Sequence, residues 1–137
     1  MERNLPKYIK QVNFDKQYKK LIKKYQNKKI VIYGAGQLFK IINEKYDLSK
    51  LNIVGICDRS FDVLSNEKEF LGYKKILIDD LANCDADLIL TGTYEYIYLI
   101  DYLKKTVFKK RKISIRPLIY MTVGMFLKEF FFGIDDV

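Results

Sequence analysis

The sequence predicts one three-layer α/β domain built on a mostly parallel sheet, with a helix flanking it at each end. Three observations carry this. Short runs rich in β-branched and other apolar residues recur at Ile30–Tyr33, Asn52–Cys57 and Asp87–Thr91, and each stops at a glycine or an aspartate. Between the runs lie segments whose apolar residues fall at helical spacing. The first run breaks at Gly34-Ala35-Gly36 and turns helical at once, so strand, glycine turn, helix, second strand and terminal Asp58 follow one another. Together they occupy about thirty residues, the size of a βαβ unit.

At 137 residues the chain reads as one domain, residues 1–137, with a core over about 28–116. That is enough to bury roughly two thirds of the surface the unfolded chain exposes. A hydrophobic fraction of 49% with 15% aromatics belongs to a folded chain. Histidine is absent, which excludes histidine bases and histidine metal ligands. Cys57 and Cys84 make neither a disulfide framework nor a metal set, and no metal site is expected. Residues 1–29 are lysine-rich and lack the apolar stretch of a signal peptide, so a cytoplasmic location is expected. The net charge of +8 is unevenly placed: residues 1–29 hold ten basic and two acidic side chains, residues 30–103 seven and twelve. A nucleic-acid binder needs its basic patch on the binding face, and here the middle of the chain is acidic.

Residues 5–26 read as an amphipathic helix, with Phe14, Tyr18, Leu21, Ile22 and Tyr25 in one stripe and lysines mostly off it. Asn13 or Asp15 is able to cap a helix starting there, leaving the first dozen residues as a separate short segment. Ile30–Tyr33 is the first strand. Leu38, Phe39, Ile41, Ile42 and Tyr46 give a helix from Gly36 to about Asp47, and Asn52–Cys57 is the second strand. From Arg59 to Tyr73 the chain is polar and irregular, with one helical turn expected at Asn66–Phe70 and a turn at Gly72. Lys75–Ile78 reads as a third strand, Asp79–Ala82 as a brief helix and Asp87–Thr91 as the next strand. Thr93 is placed to cap a helix through about Lys105, and Lys112–Ile115 is a last strand stopped by Pro117. Residues 118–132 are apolar nearly all round and are expected to form a helix, too short for a membrane span. Such a helix must be buried in the domain or against a second copy or a partner enzyme.

Two constellations are candidates for ligand contact. Gly34-Ala35-Gly36-Gln37 opens a helix whose free N–H groups favour an anion, and Asp58 ends the next strand with Arg59 beside it. The dinucleotide fingerprint places a third small residue where Phe39 stands. Across the point where strand order reverses, Thr91-Gly92-Thr93-Tyr94 supplies small residues and hydroxyls, suited equally to a ligand or to a helix cap. Catalysis has little support. Tyr25 with Lys29, and Tyr46 with Lys50, have the spacing of a dehydrogenase pair but stand too early in the chain. Asp79-Asp80 and Asp135-Asp136 are adjacent acids that diverge on regular structure, and the charge of Asp58 disfavours a Cys57 thiolate.

The stretches KKIVIYGAGQLFKIINE, LNIVGICDRS, GYKKILIDDL and DADLILTGTYEYIYLIDYLKK together resemble the Rossmann-like domain of bacterial polysaccharide-biosynthesis proteins. In those proteins the domain is an N-terminal module of nucleotide-sugar dehydratases and sugar acetyltransferases. The resemblance covers about residues 28–105. It implies a pocket for NAD(P) or a nucleotide sugar at the strand ends, carried by Gly34, Ala35, Gly36, Gln37, Asp58, Arg59, Thr91 and Thr93. It further implies a module that binds while another domain does the chemistry. The alternatives are a small NAD-linked or sugar-modifying enzyme working as an oligomer, and a scaffold with an empty crevice that docks a partner enzyme.

Overall fold

The computed structural model describes residues 4–122. Helix α1 (Leu5–Gln11) begins at Asn4, whose side chain accepts from the Lys7 N–H at 3.1 Å, with Pro6 in the first turn where its missing N–H costs nothing. Helix α2 (Phe14–Tyr25) follows after Asn13, which sits in the left-handed region at φ 54°. The stretch from 5 to 26 is therefore two helices, the second of the two readings. Asparagine tolerates this conformation, and the break lets Val12 and Phe14, both 1% exposed, turn onto the same core.

Strand β1 (Ile30–Tyr33) is buried along its whole length and leads into helix α3 (Gln37–Lys45). A short 3-10 turn, Leu48–Lys50, is capped by Asp47, and strand β2 (Ile53–Cys57) follows. The helical turn expected at Asn66–Phe70 is absent. Instead β3 (Glu69–Phe70) and β4 (Tyr73–Ile76) form a hairpin, and the third strand starts at Tyr73 rather than Lys75. Leu71 and Gly72 both have positive φ, 54° and 84°, which matches the right-handed twist of a two-residue hairpin. The hairpin also lays Phe70 against the Phe61 ring at 5.3 Å.

Helix α4 (Ile78–Leu81), strand β5 (Leu88–Thr91), helix α5 (Ile97–Tyr102) with a π-helical continuation at Leu103–Val107, and strand β6 (Ser114–Pro117) complete the described chain. Thr93 does not cap α5: its hydroxyl donates to the Glu95 carbonyl, and the helix starts after Tyr96 with no side-chain cap. The last strand runs two residues later than expected and includes Pro117. β6 is an edge strand, so the missing proline N–H is not needed, and the Leu118 N–H carries the ladder back to the Thr91 carbonyl at 2.9 Å.

The six strands lie in the order β3-β4-β2-β1-β5-β6, parallel except for the β3–β4 hairpin. This is the α/β class expected. Winding reverses between β1 and β5, so the loops leaving these two strands face each other at their C-terminal ends. Alternate strand residues feed two apolar layers. Ile30, Ile32, Leu88 and Leu90 pack under α1, α2 and α3, while Val31, Tyr33, Cys57 and Ile89 pack under α4 and α5.

Residues 118–122 are not helical, which corrects the start of the helix expected over 118–132; the part from 123 onward lies outside the described residues. Leu118 and Ile119 are fully buried in the first layer of this domain, so they offer no surface to a partner. The segment is held by the buried amide of Gln17. Its Nε2 donates to the carbonyls of Val12 and Tyr120 at 3.0 and 2.7 Å, and its Oε1 accepts from the Tyr120 N–H at 3.1 Å. Arg111 plays a similar part on the other layer, donating to the carbonyls of Ala82, Cys84 and Ala86. Among the described residues no helix is long and apolar enough to cross a membrane.

Candidate functional site

The β1 ladder ends at Gly34, whose N–H donates to the Cys57 carbonyl at 2.9 Å, while the Gly92 N–H donates to the Tyr33 carbonyl at 2.8 Å. Gly34 has φ 109°, and a Cβ there meets Thr93 Cγ2 at 2.6 Å. Only glycine fits on both counts. A Cβ on Gly92 meets the Gly34 carbonyl oxygen at 2.8 Å and Phe39 at 3.1 Å. The loops after β1 and β5 are thus in direct contact. Phe39 is fully buried and lies against Gly92, so the close approach that the fingerprint obtains from a small residue at position 39 is obtained here from a small residue across the crevice.

Gly36 behaves differently. Its backbone, φ −82° and ψ −165°, is one that any residue adopts, and nothing lies within 4 Å of a Cβ built on it. It stands at the N-cap of α3 without a capping side chain, so the N–H groups of the first turn lack acceptors within the helix. They face a cleft of about 550 Å³ walled by Gln37 and Leu38 of α3, Thr93 and Tyr94 of the β5 loop, and Leu5 and Pro6 of α1. Tyr94 is steadied against the Tyr8 ring at 4.7 Å. The contribution of α1 had no local signal in the sequence, because α1 reaches the cleft only through the packing of the first layer.

Asp58 turns inward. Its Oδ2 accepts from the Ala35 N–H at 2.7 Å, and its Oδ1 accepts from the Ser60 N–H and hydroxyl at 2.9 and 2.8 Å. Burial pushes the carboxyl up, but these hydrogen bonds, with Lys40 nearby, outweigh burial and hold it below the usual carboxylate value. Asp58 therefore braces the glycine turn, and the Ala35 N–H is already used. Of the eight candidate residues, Gly36, Gln37 and Thr93 line the cleft, whereas Gly34, Ala35 and Asp58 shape it from behind. Thr91 and Arg59 lie on the other side of the sheet. In-register pairing points Thr91, Tyr33 and Cys57 into the second layer, and Arg59 lines a separate depression there.

Neither tyrosine–lysine pair stands at the cleft. Lys29 is at the opposite end of β1, paired with Asp85 at 3.0 Å, and the Tyr46 hydroxyl donates to Asp15 between α2 and α3. Burial, and then the Asp58 charge, push the Cys57 thiol up to about 12, so it is a core group rather than a nucleophile. Among the described residues no three acids or cysteines cluster as a metal site. The arrangement is suited to hold an anionic group on backbone N–H donors at a helix start, with apolar walls for what that group carries. No family model, curated protein or solved structure matches this chain.

Proposed function

We propose that this chain is a nucleotide- or nucleotide-sugar-binding module of surface-polysaccharide or nucleotide-sugar biosynthesis, without chemistry of its own. The observation that carries this reading is Gly36. Glycine at an N-cap in this conformation stands only a few tenths of a kcal/mol below serine, aspartate or asparagine, and the space beside it admits any of them. The fold therefore does not require glycine here, and its missing side chain lets a phosphate reach the N–H groups of α3 unhindered. The cleft of about 550 Å³ suits a small ligand.

A nucleotide sugar fits better than NAD(P). The carboxylate that a dinucleotide ribose requires is engaged by Ala35 and Ser60, and the contact of Gly34 with Gly92 closes the floor of the crevice beneath the cleft. The apolar sequence from residue 123 to 132 is, on this reading, the contact to a second copy or to the enzyme that supplies the reaction.

Calorimetric titration of the full chain with UDP-, GDP- and CMP-sugars, NAD(H) and NADP(H) tests the reading. Millimolar or tighter binding of a sugar nucleotide is expected, with the dinucleotides weaker. Absence of any heat at millimolar ligand favours the empty scaffold instead, and turnover of a bound sugar nucleotide by the pure chain overturns the non-catalytic assignment.

A further inference from the structure

On the second layer, across the sheet from the Gly36 cleft, lies another depression of about 530 Å³ lined by Arg59, Ile78, Tyr98, Leu99 and Tyr102. Its walls come from three places: the residue after Asp58 at the end of β2, the start of α4, and one exposed stripe of α5. Two features there have no use in the fold. Tyr98 and Tyr102, one turn apart, are 84% and 48% exposed. Arg59 is exposed and forms no hydrogen bond or ion pair among the described residues. Inside the same layer, and not on the wall of the depression, Tyr33 and Thr91 are 3% and 0% exposed, yet neither hydroxyl has a hydrogen-bond partner among the described residues.

Buried hydroxyls without partners are destabilising and rare, and two side by side in register form a polar spot in an otherwise apolar layer. The Tyr33 hydroxyl lies within electrostatic reach of Arg59 and Tyr102, both on the depression. Burial, followed by Cys57, Asp58 and Tyr102, pushes it up to about 12 against the pull of Arg59, so at neutral pH it keeps its proton and is a donor.

We propose that this depression binds a small phosphorylated ring compound, with Arg59 on the phosphate and the Tyr98 and Tyr102 rings against the ring of the ligand. A guanidinium fork matches phosphate geometry. Exposed tyrosines present large, stiff faces that pack on a sugar ring or a base alike. The volume is that of a small-molecule site. The site is separate from the Gly36 cleft, since the two open on opposite faces of the sheet.

Amide-resolved NMR titration of the full chain tests this, with glucose-1-phosphate, phenyl phosphate and inorganic phosphate as probes. Both ring phosphates are expected to move the amides of Arg59, Tyr98 and Tyr102 while those of Gln37 and Leu38 stay, and inorganic phosphate to bind about tenfold more weakly. A larger response to glucose-1-phosphate identifies a sugar-ring site, and a larger response to phenyl phosphate identifies a base-like one. Arg59→Gln and Tyr98→Ala are each expected to weaken the response about tenfold. If the depression is an idle stretch of surface, the two variants leave the titration unchanged, and that result overturns the proposal. So does a failure of both ring phosphates to move Arg59, Tyr98 and Tyr102 at about 10 mM, a concentration that fills even a millimolar site.

Discussion

Replacing Gly36 with aspartate separates what the fold needs from what a ligand needs. The backbone at this position is extended, as at an ordinary N-cap, and a new Cβ enters open space. An aspartate there accepts from the uncapped N–H groups of α3, worth a few tenths of a kcal/mol over glycine. It also places a negative charge at the positive end of the helix, worth roughly 0.3–1 kcal/mol. The sum, about 0.5–1 kcal/mol, raises the melting temperature of a domain this size by roughly 1–4 °C. The same carboxylate occupies the place of the bound phosphate. Two unit charges about 4 Å apart near a protein surface repel by about 4 kcal/mol, and even half of that weakens binding more than about tenfold. The variant is therefore expected to be at least as stable as the natural chain and to lose nucleotide binding. Calorimetric melting and a titration with UDP measure the two halves. A melting temperature lowered by several degrees shows that the space beside Gly36 is not open. Undiminished UDP affinity in a stable variant shows that no phosphate sits at this helix start.

Two further outcomes follow from the bracing contacts. Asp58 has a folded-state carboxyl below its ordinary value of 3.8, so its contribution to stability is complete above the unfolded value and is lost as pH falls through the folded one. The difference in urea midpoint between the natural chain and Asp58→Asn is expected to be constant at neutral and weakly acidic pH and to shrink in stronger acid; a difference that persists through that range refutes the assignment. Gln17→Leu leaves the Tyr120 N–H and carbonyl and the Val12 carbonyl without their partner and is expected to cost about 1–3 kcal/mol in urea unfolding. Amide exchange at Tyr120 is expected to accelerate at the same time, and unaltered protection there refutes the role of Gln17 as the clasp on residues 118–122.

Where a residue's use is set by its neighbours in sequence, the reading succeeded. Ile30–Tyr33, Ile53–Cys57 and Leu88–Thr91 are strands because they are apolar runs bounded by breakers, and α3 follows the glycine turn because its apolar residues fall at helical spacing. Where use is set by packing, it did not. The turn at Gly72 was legible, but the hairpin at 69–76 also needs a positive φ at Leu71, a residue that gives no turn signal. Leu118 and Ile119 belong to a run that reads as helix, yet the first layer takes them as an irregular, buried bend beside α1 and α2. Thr93 has the chemistry of a cap, but Gly34 draws its methyl into contact and its hydroxyl bonds to Glu95, so the helix waits until Ile97. Asp58 was legible as an acid at the right strand end. That it would bend back onto Ala35 depended on the shape of a turn in another part of the sequence.

The contact between Gly34 and Gly92 links the two clefts. In a sheet wound both ways, the crevice between the reversing strands is ordinarily the binding groove. Here a Cβ on Gly92 meets the Gly34 carbonyl and Phe39, so the floor of that crevice is solid. Phe39 and Gly92 have in effect exchanged sizes across it: the large ring comes from the helix and the missing side chain from the facing loop. A ligand is thereby excluded from the gap between the strands and left with the space on either side. On one side the free N–H groups of α3 face apolar walls. On the other, Arg59 and the α5 tyrosines line the second depression. A molecule able to reach both must arch over Thr93, the residue whose methyl seals Gly34 from above. Thr93 is for that reason the position at which a larger side chain separates a ligand confined to one cleft, which tolerates it, from one that spans the two.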